Sequence, residues 1–158
     1  MKRTILVALA VILGSATSLR AQVEKVAMRT TGISCGMCAA LSEIYLRQLG
    51  GVDKIKISLS QEAIMVSYKT GAAFRPKDIR DALKKTDVGV TEFQISARGQ
   101  VQQSGKRIFT AGKDVFLLVP STGPAVPADM PVVVEGILND QTNPMELKVL
   151  TVKPIEKK

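Results

Sequence analysis

Thr31-Gly32-Ile33-Ser34-Cys35-Gly36-Met37-Cys38 holds both cysteines of the chain, three residues apart. It lies where an alternating, strand-like run gives way to a helix-like one. A CxxC at a helix start sets one thiol in the loop and the other in the first turn. There, free backbone N–H groups and the positive end of the helix dipole stabilise a thiolate. Two soft sulfurs this close have two chemistries open to them. They can coordinate a thiophilic ion such as Cu(I) or Zn(II), or oxidise to a tight disulfide.

Upstream of the loop, Val26, Met28 and Thr30 alternate with Lys25, Ala27 and Arg29, which predicts a half-buried strand over residues 23–31. Downstream, Leu41, Ile44, Tyr45 and Leu49 recur at helical spacing and predict an amphipathic helix over 39–49, stopped by Gly50-Gly51. Residues 52–59 alternate again, Ser60-Gln61-Glu62 turns the chain, and 63–68 supplies the hairpin partner. Pro76 suits the first turn of a second helix whose inner face is Ile79, Ala82 and Leu83, and 90–95 gives a last strand. The order is βαββαβ, so the expected class is α+β. Two helices would cover one face of a four-stranded, ferredoxin-like sheet.

In that order, residues 23–97 resemble the heavy-metal-associated (HMA) domain, the module of copper chaperones, metal-pumping ATPases and periplasmic mercury-binding protein. The resemblance rests on Gly32-Ile33-Ser34-Cys35-Gly36-Met37-Cys38, Leu49-Gly50-Gly51-Val52 and Val66-Ser67-Tyr68. It implies a binding protein rather than an enzyme, with Cys35 and Cys38 as ligands of a soft ion. Cu(I) is the first candidate, Hg(II) and Zn(II) the others, and a metal transporter or another envelope protein the implied partner. Two departures stand out. Ile33 replaces the family's methionine before the first cysteine, and 86–90 offers neither the lysine nor the aromatic that members often place near the metal. Only Cys35 and Cys38 are therefore carried over.

The chain contains no histidine, which removes Ser/His/Asp triads and Cys/His zinc sites. Residues 1–21 read as a secretory signal: Lys2 and Arg3, an apolar run from Ile5 to Leu13, then small and polar residues. The run is shorter than the roughly 20 residues that span a bilayer, so the expected location is periplasmic or secreted, with no stable membrane insertion after cleavage. Lys2, Arg3 and Arg20 supply three of the eight net positive charges, which leaves +5 on a chain starting at Gln22.

The expected domains are a signal peptide at 1–21, the HMA-like unit at 22–97 and a small all-β unit at 98–158. The last carries short apolar runs at 108–109, 115–119, 132–134, 137–138 and 147–152, with Gly99 and Gly136 inside strands. That pattern suggests a small antiparallel barrel, with the OB-fold as the candidate. Phe109 and Phe116 are the only aromatics after Phe93 and sit in core-like runs, so nucleic acid is not an expected partner.

Several alternatives stay open. The cysteines could serve thiol/disulfide redox work, or the fold could serve protein interaction without metal. Met37 could be a third sulfur ligand or a plain loop residue. Lys54, Lys56, Arg75, Lys77, Arg80, Lys84 and Lys85 could form a docking face for an acidic partner or be ordinary solvated charge. Ile33 is expected to be buried beneath the loop, with Ser34, Gly36 and Met37 exposed.

Overall fold

Alternation of apolar residues sets the first half of the molecule. The computed structural model describes residues 20–155, so nearly all of the expected signal segment lies outside the described residues. Strand β1 (Gln22–Thr31) is followed by helix α1 (Gly36–Arg47), the hairpin β2 (Val52–Ser58) and β3 (Ala63–Tyr68), helix α2 (Pro76–Lys84) and strand β4 (Gly89–Ser104). All pairings are antiparallel in the spatial order β2-β3-β1-β4. Val26, Met28, Ile64, Val66, Phe93 and Ile95 face inward from the sheet and meet Leu46, Ile79 and Leu83 from the helices. Each such burial is worth about 2 kcal/mol. Pro76 opens α2 as expected, and Ile79, Ala82 and Leu83 are its buried face.

Helix α1 is rotated from the expected face. Leu41 and Ile44 stand 41% and 53% exposed, whereas Ser42 and Leu46 are fully buried and Tyr45 and Leu49 half-buried. A serine can occupy the inner face because its hydroxyl is satisfied. Thr86 Oγ1 donates to the Leu83 carbonyl at 2.8 Å, so Ser42 is the donor in its 3.0 Å hydrogen bond with Thr86.

Strand β4 also differs from expectation. It runs for 16 residues without a break, and the expected boundary at 97/98 falls inside it. Ala97, Gly99 and Val101 continue the inward set while Arg98, Gln100 and Gln102 face outward, so the period of two never stops. A side chain at Gly99 would strike the Thr110 carbonyl and the Phe109 ring, so this glycine marks a close approach of β5.

The remaining regular elements among the described residues are all strands: β5 (Lys106–Ala111), β6 (Asp114–Val119), β7 (Val132–Asn139) and β8 (Met145–Pro154). Together with β4 they close a barrel-like ring, β4-β5-β6-β8-β7 and back to β4. Only the β6/β8 pair is parallel. Val101, Phe109, Phe116, Val132, Val134, Leu147 and Val149 are buried in this half. The two expected runs at 132–134 and 137–138 form one strand, with Gly136 where the Lys148 carbonyl and Leu147 press close.

The two halves are joined by more than chain continuity. Residues Phe93–Gly99 of β4 pair with β7 on the edge not used by β1. Arg80 of α2 makes a two-pronged ion pair with Asp140 at 2.7 and 2.9 Å, donates to the Val90 carbonyl at 2.7 Å and lies 4.8 Å over the Phe93 ring. The Phe74 N–H donates to the buried Asp114 carboxylate at 3.2 Å. No helix among the described residues is long and apolar enough to cross a membrane.

Candidate metal centre

The cysteine loop is held from below and left open above. Gly32 turns the chain at φ +85°, where a side chain would come within 2.7 Å of the Asp87 carbonyl oxygen. Ile33 is completely buried next to it, while Ser34, Cys35, Gly36 and Met37 are exposed. This is the expected arrangement: one apolar anchor under a solvent-facing loop. On the other side, Gly89 lies against the Thr31 hydroxyl, and the Ser42–Thr86 hydrogen bond ties α1 to the turn before β4.

Cys35 is the N-cap of α1 and Cys38 its third residue. The Cys38 N–H donates to Cys35 Sγ at 3.1 Å, and the Ala39 N–H donates to the Cys35 carbonyl at 3.1 Å. A sulfur therefore takes the role a serine or aspartate oxygen plays at other helix starts. The first turn carries no acidic residue. Nothing there opposes a second negative charge, and the helix dipole favours it.

In this structure the two sulfurs are joined as a disulfide, with Cα atoms 5.2 Å apart. Met37, between them, is 68% exposed. Among the described residues no group of three or more Cys, His, Asp or Glu side chains converges. The donor set is two sulfurs with open space above.

Groups with perturbed acidity lie at the junction with the barrel. Burial pushes the Tyr68 phenol well above its usual range, with Asp114 and Asp78 adding to the effect. Burial also raises the Asp114 carboxyl, against the lowering effects of the Phe74 N–H and Lys113. Of the basic residues weighed as a docking face or as solvated charge, Arg80 is committed to Asp140, Lys77 to Asp81 at 2.5 Å, and Lys85 sits over the Tyr45 ring. Sequence reading missed Ser42, Thr86 and the Asp87 carbonyl as supports of the loop. No local signal pointed to Ser42, because the expected inner face of α1 was Leu41, Ile44, Tyr45 and Leu49, and the serine turns inward only with Thr86 as its partner.

No family model matches the chain. It is 36% identical over 84 residues to human copper-transporting ATPase 2, an alignment covering 53% of this chain and 5% of that protein. The first half of this chain is an HMA-like segment. The chain thus spans a small part of the length of that relative. Solved structures similar to the HMA-like segment include the CopZ metallochaperone, at 22% identity and TM-score 0.39, covering 42% of this chain and 98% of that one. The yeast copper transporter domain CCC2A matches at 24% identity and TM-score 0.38, covering 42% and 90%.

Proposed function

We propose that this chain is an exported, non-catalytic carrier of a soft ion, Cu(I), held by the thiolates of Cys35 and Cys38 and passed to a metal transporter or another envelope protein. One observation carries the proposal: both sulfurs sit at the open start of α1, at the N-cap and third positions, with no other ligating group converging on them among the described residues. A two-sulfur set suits Cu(I), which takes soft thiolates at low coordination number. Zn(II) seeks four ligands, or three and a water, so it fits less well, and Hg(II) remains the second thiophilic candidate. The 36% identity to a copper-transporting ATPase supports the same ion.

Binding begins from the reduced pair. Two electrons and two protons from a dithiol reductant convert the disulfide to two thiols, and capture of the ion releases both protons. The location outside the cytoplasm rests on the leader-like pattern of residues 1–21. Residues 98–158 supply a scaffold rather than a second reactive centre. Ring closure through one parallel pair supports an OB-type barrel there, with β4 shared between the halves.

The S–S bond favours a second reading, in which the pair cycles between dithiol and disulfide as a redox protein. Alkylation separates the two. One equivalent of Cu(I) added to reduced protein should shield both thiols from iodoacetamide, read by mass spectrometry. Two alkylated cysteines in the presence of the ion would contradict the carrier reading.

A further inference from the structure

Every strand of the described structure is hydrogen-bonded on both sides except one. The sheet order starts at β2, whose only partner is β3, and at the other end the ring closes through β7 on β4. The outer edge of Val52–Ser58 therefore presents unpaired backbone donors and acceptors. A register irregularity between Val52 and Lys54 ends the regular stretch, leaving Lys54-Ile55-Lys56-Ile57-Ser58 as a straight edge. Its two faces are chemically opposite. Lys54 and Lys56 point to the open face, in register with Ser67 and Met65, both exposed and without an ion-pair partner among the described residues. Ile55 and Ile57 point to the helix side and are half-buried.

We propose that this edge accepts a strand from a different protein, an extended segment in which acidic and apolar residues alternate. Backbone hydrogen bonding would supply the attachment and the side-chain period of two the specificity. Acidic residues two apart on the incoming strand would face Lys54 and Lys56. The apolar residues between them would complete the cover over Ile55 and Ile57. A second copy of this chain is the wrong occupant, because pairing two β2 edges sets lysines against lysines, and like charges across a ladder repel. Of the other basic residues of the open face, Arg29 is paired with Glu92, Arg98 with Glu24 and Lys153 with Glu135, while the exposed Lys25 of β1, in register with the same Ser67 as Lys54, adds to the same positive strip.

The probe is a short capped peptide of sequence Glu-Val-Glu-Val-Glu, titrated into the full chain without metal and followed by amide NMR shifts and hydrogen exchange. The expected result is shifts and added protection centred on residues 52–58, strengthened at low salt. Lys54→Glu with Lys56→Glu should weaken the peptide by about tenfold or more and create binding of the reversed Lys-Val-Lys-Val-Lys peptide. Ile55 and Ile57 stay in place in that variant, so failure to fold does not obscure the outcome. Shifts centred on the cysteine loop or the barrel, equal binding of both peptides by the original chain, or a concentration-dependent dimer that protects the same amides would each overturn the proposal. None of these results bears on the metal reading, which uses other residues and no peptide.

Discussion

The βαββαβ unit and the barrel share β4 but place their polar groups in opposite ways. In the first, Cys35 and Cys38 lie at the open start of a helix, and among the described residues no further ligating group converges on them. In the second, the charges that matter are turned back on the first half: Asp140 grips Arg80, and Asp114 takes the Phe74 N–H. One half exposes its reactive groups, and the other spends its own on holding that half in place. A reactive loop can stay open without loosening the fold because its support comes from Ile33, the Ser42–Thr86 bond and the β4–β7 ladder.

The largest effects are expected at the loop. Cys35→Ser or Cys38→Ser should abolish tight Cu(I) binding, since a single thiolate cannot compete with buffer ligands. Equilibrium dialysis gives the metal content, and circular dichroism should show the fold retained. Binding that survives in either variant would break the contrast between a chemical half and a scaffold half. Ile33→Asp should cost about 3 to 5 kcal/mol of stability, an unpaired carboxylate in a fully buried site. Urea denaturation measures it, and a loss under 1 kcal/mol would mean the loop is not anchored there.

Next in size is the junction. The Asp140 side chain is only 9% exposed, so Arg80→Ala strands a nearly buried carboxylate and should cost about 2 to 3 kcal/mol. Unfolding of the original chain should be a single transition by both far-ultraviolet dichroism and tyrosine fluorescence, because β4 belongs to both halves. Two separated transitions would show that the halves are independent after all. Proteases should cut in the 120–131 loop rather than near 97–103, which lies within β4. The Arg80 hydrogen bond holds the Asp140 carboxyl below its usual range. Its contribution is therefore complete above the unfolded carboxylate value of about 3.9 and fades as pH falls through the lower folded value.

The smallest effect has the opposite sign. Burial raises the Asp114 carboxyl, so ionising it costs the folded state more than the unfolded one. That cost appears as pH rises from about 3.9 through the raised folded value. Asp114→Asn keeps an acceptor for the Phe74 N–H and should be neutral or slightly stabilising at pH 7. Paired urea melts at pH 3 and pH 7 check this. A marked loss at pH 7 would mean that the charge itself is required.

Local signals made the first half legible. The CxxC, Gly50-Gly51, Pro76 and the alternating hairpin each act within a few residues. Three features were out of reach for the same reason: they depend on partners far away in sequence. The rotation of α1 turns on Ser42 finding Thr86, the reach of β4 on β5 and β7, and the role of Arg80 on Asp140, sixty residues away. In the barrel, Gly99 and Gly136 could be read as glycines inside strands that bend, but not that β5 and β8 would press on them. At the cysteine loop, both cysteines, the buried Ile33 and the exposed Met37 stand where their spacing put them.

The measurement that bears most directly on the whole account sets reduced protein against a chromogenic Cu(I) chelator, with an insulin-reduction assay on the same sample. About one Cu(I) per chain should be withdrawn, in keeping with a single two-thiolate site, with no steady insulin reduction. Failure to take copper from the chelator, together with sustained reductase turnover, would contradict it.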